Sequence, residues 1–263
     1  MKFIKEFILK YWKTLLFFAA VGLVGGFVTG LYLLDSYPAE LRAQLVAELE
    51  KLGVLGAFVE VFLGIITAVQ SLLYGVALGA LGIFLGERSG LWKNEIRLEK
   101  KPILFTAGVA VMGGILMILL DLLWFGKAIP GVMESYATKP TADYIIACVS
   151  YGAVIEEVIL RLFAMSLVAF VLMKLMKRDV GGDNTLIFVA ANVTSSLMFA
   201  LLHIPMNIIL FGGDAIVIIR CILMNGALGL LFGYLYRKYG LRYSMIAHGG
   251  VHIVSKLIWV LFI

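Results

Sequence analysis

The sequence predicts an all-α fold: a polytopic transmembrane helix bundle of about seven or eight spans. Three observations carry this. The chain of 263 residues is 62% hydrophobic and only 15% charged, with a mean hydropathy of +1.01, which excludes an ordinary soluble domain. Its apolar residues gather in runs near or above the roughly 20 residues a helix needs to cross a bilayer. Its basic residues collect at alternate ends of those runs, the positive-inside asymmetry.

The elements follow in chain order. A basic N-terminus, "MKFIKEFILKYWK", precedes the apolar run 14–34. That run is too long for a signal-peptide core and is followed by "GLYLLDSYPAE", so it reads as an uncleaved first span. Segment 38–51, "PAELRAQLVAELEK", is polar on one face and apolar on the other, as expected of a helix lying along the interface. The further candidate spans are 53–86, 102–124, 143–173, 186–210, 215–236 and 243–263. The run 53–86 exceeds one crossing, which implies tilt, extension beyond the bilayer or a break at its glycines. Twenty-eight glycines suit close helix packing in lipid. Cys148 and Cys221 fall in spans and read as small apolar residues, not a disulfide or a metal site. No linker or internal repeat divides the chain, so 1–263 reads as one membrane domain.

With the N-terminus on the cytoplasmic side, fifteen lysines and arginines fall inside, among them Lys2, Arg88, Arg97, Lys174 and Arg242. Four fall outside: Arg42, Lys51, Lys127 and Lys139. The net charge of +5 is thus accounted for by topology, without nucleic acid, and the expected location is the plasma membrane. Three basic residues remain within spans, Arg161, Arg220 and Lys256, together with all three histidines, His203, His248 and His252. An ionisable residue at the bilayer centre costs at least about 2.5–3.5 kcal/mol, so each is a functional candidate.

The densest cluster is "GAVIEEVILRLFAMS", 152–166. Glu157 and Arg161 stand four apart, share a helix face and can pair. Glu156 is turned about 100° away and needs another partner. His203 shares a face with Phe199, and His248 with His252. The simplest packing brings Glu156 to the histidines around a polar cavity, with Arg161 as the counter-charge of Glu157. In a plain serpentine, His203 and His248 differ in depth by on the order of 10 Å, which tilt or a shift at Pro205 must close. Lys256 continues the stripe of His248 and His252. The favoured expectation is that it snorkels to the outer interface; the sharper one is that it enters the cavity. Alone, a glutamate–arginine pair is as often interhelical glue as catalysis, and the HxxxH spacing also fits zinc, haem or an ordinary helix face.

The conjunction is more specific. "EEVILR" at 156–161, "FALLH" at 199–203 and "HGGVH" at 248–252 resemble, in order and approximate spacing, the CAAX endopeptidase and bacteriocin-processing family of intramembrane proteases. The resemblance covers 141–263 as a catalytic core and leaves 1–140 as variable N-terminal spans. It implies a general base, Glu156, that activates water with help from His203, supported by Glu157 and Arg161. It also implies that His248 and the polar residue one turn on stabilise the oxyanion. That residue is His252 here, where the family usually has asparagine or sometimes aspartate. The change makes Glu156, His203, His248 and His252 a conceivable zinc set, although a metal-free site is the expectation. The implied partners are a peptide or membrane-anchored protein substrate and the lipid bilayer, with no nucleic acid. Relatives remove the last three residues of prenylated CAAX proteins, or process or confer resistance to bacteriocins. Two other classes remain open: a non-proteolytic scaffold or immunity protein, and a proton- or ion-coupled transporter, though no inverted repeat favours the latter.

Overall fold

A computed structural model describes residues 2–94 and 98–263; Arg97, counted above among the basic residues, lies outside the described residues. Among these there is no strand, and seven helices are long and apolar enough to cross a membrane. The chain opens with α1 (Lys2–Ser36). The short α2 (Ala39–Lys51) follows and buries none of its residues, in keeping with an interfacial position. The spans continue as α3 (Gly56–Ser89) and α4 (Lys100–Ala128), then a short helix α5 (Pro130–Tyr136) and the spans α6 (Ala142–Leu175), α7 (Thr185–Phe211), α8 (Ala215–Tyr239) and α9 (Leu241–Phe262). Of the run 53–86, residues 56–86 form one helix that does not break at its glycines. Pro205 sits inside α7 without ending it.

Helix α6 is central. It packs against α1, α3, α7 and α9, and half of its apolar window is buried, more than in any other span. Its residues Val158, Leu162 and Met165 belong to a core cluster with Phe18 of α1, Ile83 of α3 and Tyr236 of α8. Leu160 joins a second cluster with Phe199, Phe232 and Val251. With lipid on the outside, close packing and not water exclusion holds such helices together. At Gly30 of α1, a Cβ would lie 2.5 Å from the carbonyl oxygen of Leu63 in α3. Only glycine lets the two backbones approach that closely.

Two consecutive stretches of α6, Cys148–Glu156 and Val158–Met165, are π-helical, whereas the sequence reading assumed ordinary α geometry. Such wide turns concentrate at functional sites because they re-aim side chains. Here they flank Glu157 directly.

Candidate active site

Glu157 and Arg161 are both fully buried, with Arg161 Nε 3.5 Å from Glu157 Oε2. The pairing expected from their spacing is present. The guanidinium makes no well-directed hydrogen bond. Its compensation is the carboxylate together with the rings of Phe199 and Phe232, whose centres lie 5.0 and 5.8 Å away. Glu157 is held from α9 as well. Ser244 Oγ donates to Oε2, and His248 Nδ1 lies 3.0 Å from Oε1. A carboxylate only accepts, so Nδ1 carries the proton in this contact.

Glu156 points elsewhere, as adjacent residues must. Its side chain is 20% exposed, with His203 Nε2 4.0 Å from Oε1 and His248 Nε2 4.0 Å from Oε2. The two imidazoles take one carboxylate oxygen each. Phe199 stands between them, its ring 4.7 Å from that of His203 and 5.6 Å from that of His248.

The tautomers follow from the second nitrogens. His203 Nδ1 lies 2.8 Å from the carbonyl oxygen of Phe199, an acceptor only, so Nδ1 bears the proton and neutral His203 presents a lone pair at Nε2. The same holds for neutral His248, whose Nδ1–H is taken by Glu157. Glu156 and two imidazole nitrogens thus face one another as acceptors, and separations of 4.0 Å suit groups that share a water molecule.

His252 is set apart. Its ring stacks on His248 at 5.0 Å, and its Nδ1 is buried without a hydrogen-bond partner. A Cβ at Gly152 would lie 3.6 Å from its Nε2. It makes no contact with Glu156 within 4 Å among the described residues. The Nδ1 partners of His203 and His248 are of the kind that orient zinc-bound imidazoles. However, among the described residues no group of three or more histidine, cysteine, aspartate or glutamate side chains is disposed to hold a metal ion.

The sequence reading missed two features. Ser244, one turn before His248, opens a stripe of Ser244, His248, His252 and Lys256 along α9; the four-residue spacing was available as a signal. The second is Asp121, buried in α4 at 1% exposure. Arg220 holds both its oxygens at 2.7 Å, and Tyr136 donates to it at 2.9 Å. Asn207 of α7 joins Arg220 to the site: its Oδ1 accepts from Arg220 Nη1 at 3.2 Å, and its Nδ2 donates to the carbonyl of His203 at 2.9 Å. An acidic residue in an apolar run was the overlooked signal.

Residues 138–254 match the family model described as type II CAAX prenyl endopeptidase Rce1-like. Over these residues, fewer than half of the chain, the sequence is similar to that family. The matched region runs from just before α6 into α9 and includes every residue named around Glu156 and Glu157. No curated protein and no solved structure matches the chain. The chain is therefore an integral membrane protein similar, over its C-terminal part, to a membrane CAAX protease.

Proposed function

We propose that the protein is a membrane-embedded endopeptidase that hydrolyses a peptide bond by glutamate-activated water. The observation that carries this reading is the Glu156 carboxylate with one imidazole Nε2 at 4.0 Å from each oxygen. Peptide hydrolysis needs a base for water, donors for the developing oxyanion and a proton for the leaving amine. Glu156 takes the proton of a water held between it and His203, whose lone pair at Nε2 is fixed in direction by the Phe199 carbonyl. The water oxygen attacks the scissile carbonyl, and the proton held by Glu156 passes to the leaving nitrogen. His248 serves the oxyanion when Nε2 as well as Nδ1 carries a proton; Glu157 beneath it balances that charge, and Arg161 balances Glu157 in turn. His252, stacked behind His248, supports the ring's position. No step requires a metal.

An apolar cavity of about 720 Å³ between α1, α6 and α9, lined by Phe17, Val149, Ala153, Ile246 and Ile253, has the size and polarity for a lipid-like chain. It supports a membrane-anchored substrate, and Lys13, Lys93 and Arg242 at its border would favour the anionic leaflet on that side. The deciding experiment is turnover of candidate lipidated peptides by purified protein. Glu156→Gln should lose activity by roughly 10²-fold or more while keeping the parent's unfolding midpoint. A fully active Glu156→Gln would remove the basis of the assignment.

A further inference from the structure

Helix α7 carries Pro205 two residues beyond His203. A proline has no N–H, so the carbonyl of Leu201 loses its partner in the helical ladder, and the ring crowds that same turn. The helix continues through it to Phe211, but such a turn is where a helix bends. His203 sits inside it. Its reach to Glu156 therefore depends on how the two halves of α7 are held relative to each other.

The half before the proline is fixed by close packing: a Cβ at Gly229 of α8 would lie 3.0 Å from that of Ser196. His203 is tied to this half through Nδ1 and the carbonyl of Phe199, 2.8 Å apart. The half after the proline is gripped by Arg220 of α8. Its Nη1 donates to Asn207 Oδ1 at 3.2 Å, and the guanidinium lies 5.2 Å from the centre of the Phe211 ring. Residues 203, 207 and 211 stand four apart and share one helix face. Arg220 is itself held, because Nε and Nη2 each stand 2.7 Å from one oxygen of buried Asp121. That bidentate fork leaves Nη1 for Asn207.

The chain of contacts has a direction. A guanidinium only donates, so Asn207 must turn its oxygen to Arg220 and its NH2 to the carbonyl of His203, 2.9 Å away. Asp121 thus sets Arg220, Arg220 sets Asn207, and Asn207 sets the backbone of His203. We propose that Asn207, aimed by the Arg220–Asp121 pair, is a positioning residue for the reaction: it braces the proline-weakened turn so that His203 Nε2 meets the water at Glu156. The inference rests on the endopeptidase reading for what His203 does, though not for how it is held.

Two measurements on the whole protein in lipid nanodiscs test this. The first is cleavage of a fluorogenic S-alkylated cysteine peptide. Asn207→Leu removes both contacts. Asn207→Asp keeps one oxygen for Arg220 but sets the other against the His203 carbonyl; it is isosteric, so the test survives a leucine variant that fails to fold. Each change should lower kcat by roughly 10–100-fold and leave KM within about 2-fold, because His203 holds water and not substrate. In a His203→Ala background the same changes should cost less than about 2-fold more, since they act through that ring. The second measurement is nitrogen NMR of protein labelled at its three histidines, each assigned by single replacement. Both variants should move the His203 resonances and leave those of His248 in place. An unaltered kcat, a loss as large in the His203→Ala background as in the parent, or His203 resonances that stay in place would overturn the proposal. Resonances that move in a protein whose parent cleaves no peptide would instead refute the endopeptidase reading and leave the bracing of His203 standing.

Discussion

Removing Arg161 should expose how much of this membrane core depends on one charge. Arg161 and Glu157 are completely buried. Replacing Arg161 with alanine leaves the carboxylate with Ser244 and His248 as its remaining partners. It also empties the space beside Phe199 and Phe232 that the guanidinium fills. Breaking a buried pair by losing one member typically costs about 3–5 kcal/mol, equivalent to roughly two to four decades in the unfolding constant. Equilibrium unfolding in mixed micelles, followed by tryptophan fluorescence, reads this directly. Glu156→Gln is the control, since Glu156 is partly exposed and its nearest charged partners stand 4.0 Å away; it should unfold with the parent. The double variant Arg161→Met with Glu157→Gln removes both charges and should recover most of the stability, because a matched apolar replacement of a buried pair is often near neutral. Activity should stay low, since His248 has then lost its carboxylate. An Arg161→Ala protein within about 1 kcal/mol of the parent, or a double variant as unstable as the sum of its singles, would refute the pairing as the source of that stability.

Arg220→Met leaves Asp121 buried with only Tyr136 as donor, and should lower unfolding free energy by about 3–5 kcal/mol in the same assay; an unchanged midpoint would show that the network is idle. His252→Asn keeps a side-chain donor beside His248 and should retain activity, while chelators should have no effect on either protein. Stoichiometric zinc, with activity lost on chelation and restored by the metal, would refute the metal-free reaction. Gly152→Val places branched carbons against His252 Nε2, itself 3.6 Å from the first added atom. It should displace His252 and, through their stacking, the His248 ring, lowering kcat/KM on the order of 10-fold or more; a fully active variant would argue against a role for His252 in placing His248.

The parts of the site that lie within one helix were legible in the sequence. Glu157 and Arg161 are four apart, and that spacing alone predicts the ion pair that is present. The divergence of Glu156 from that pair follows from the same geometry, and so does its need for a partner. Which partners it finds is a property of three helices packing together. The histidines' common approach to Glu156 could be expected only from the resemblance and the cost of leaving a carboxylate unpaired. The serpentine reading expected His203 and His248 at different depths; in the structure both reach Glu156, at 4.0 Å from one carboxylate oxygen each. No periodicity announces the π-helical turns around Glu157, since they are imposed by neighbouring helices. Lys256 corrects an expectation. Snorkelling was favoured, yet six residues of α9 follow it, up to and including Phe262, about 9 Å of rise, more than its side chain can reach. The rings of Tyr144 and Trp259 hold it inside instead.

The adjacency of two glutamates thus has a physical reason beyond the number of charges. Consecutive residues on a helix face different neighbours, so one turn of α6 can supply both a carboxylate that is wholly internal and one that meets the cavity. Glu157, pinned by Arg161 and Ser244, fixes His248 from below through Nδ1. Glu156, joined to the same ring through Nε2, inherits that placement without being locked itself. A single glutamate is poorly placed to do both: the carboxylate that orients His248 is completely buried, whereas the one that meets water must be partly exposed, as Glu156 is. The pair also explains why the cost of burial is tolerated here, because each charge in the cluster orients the next.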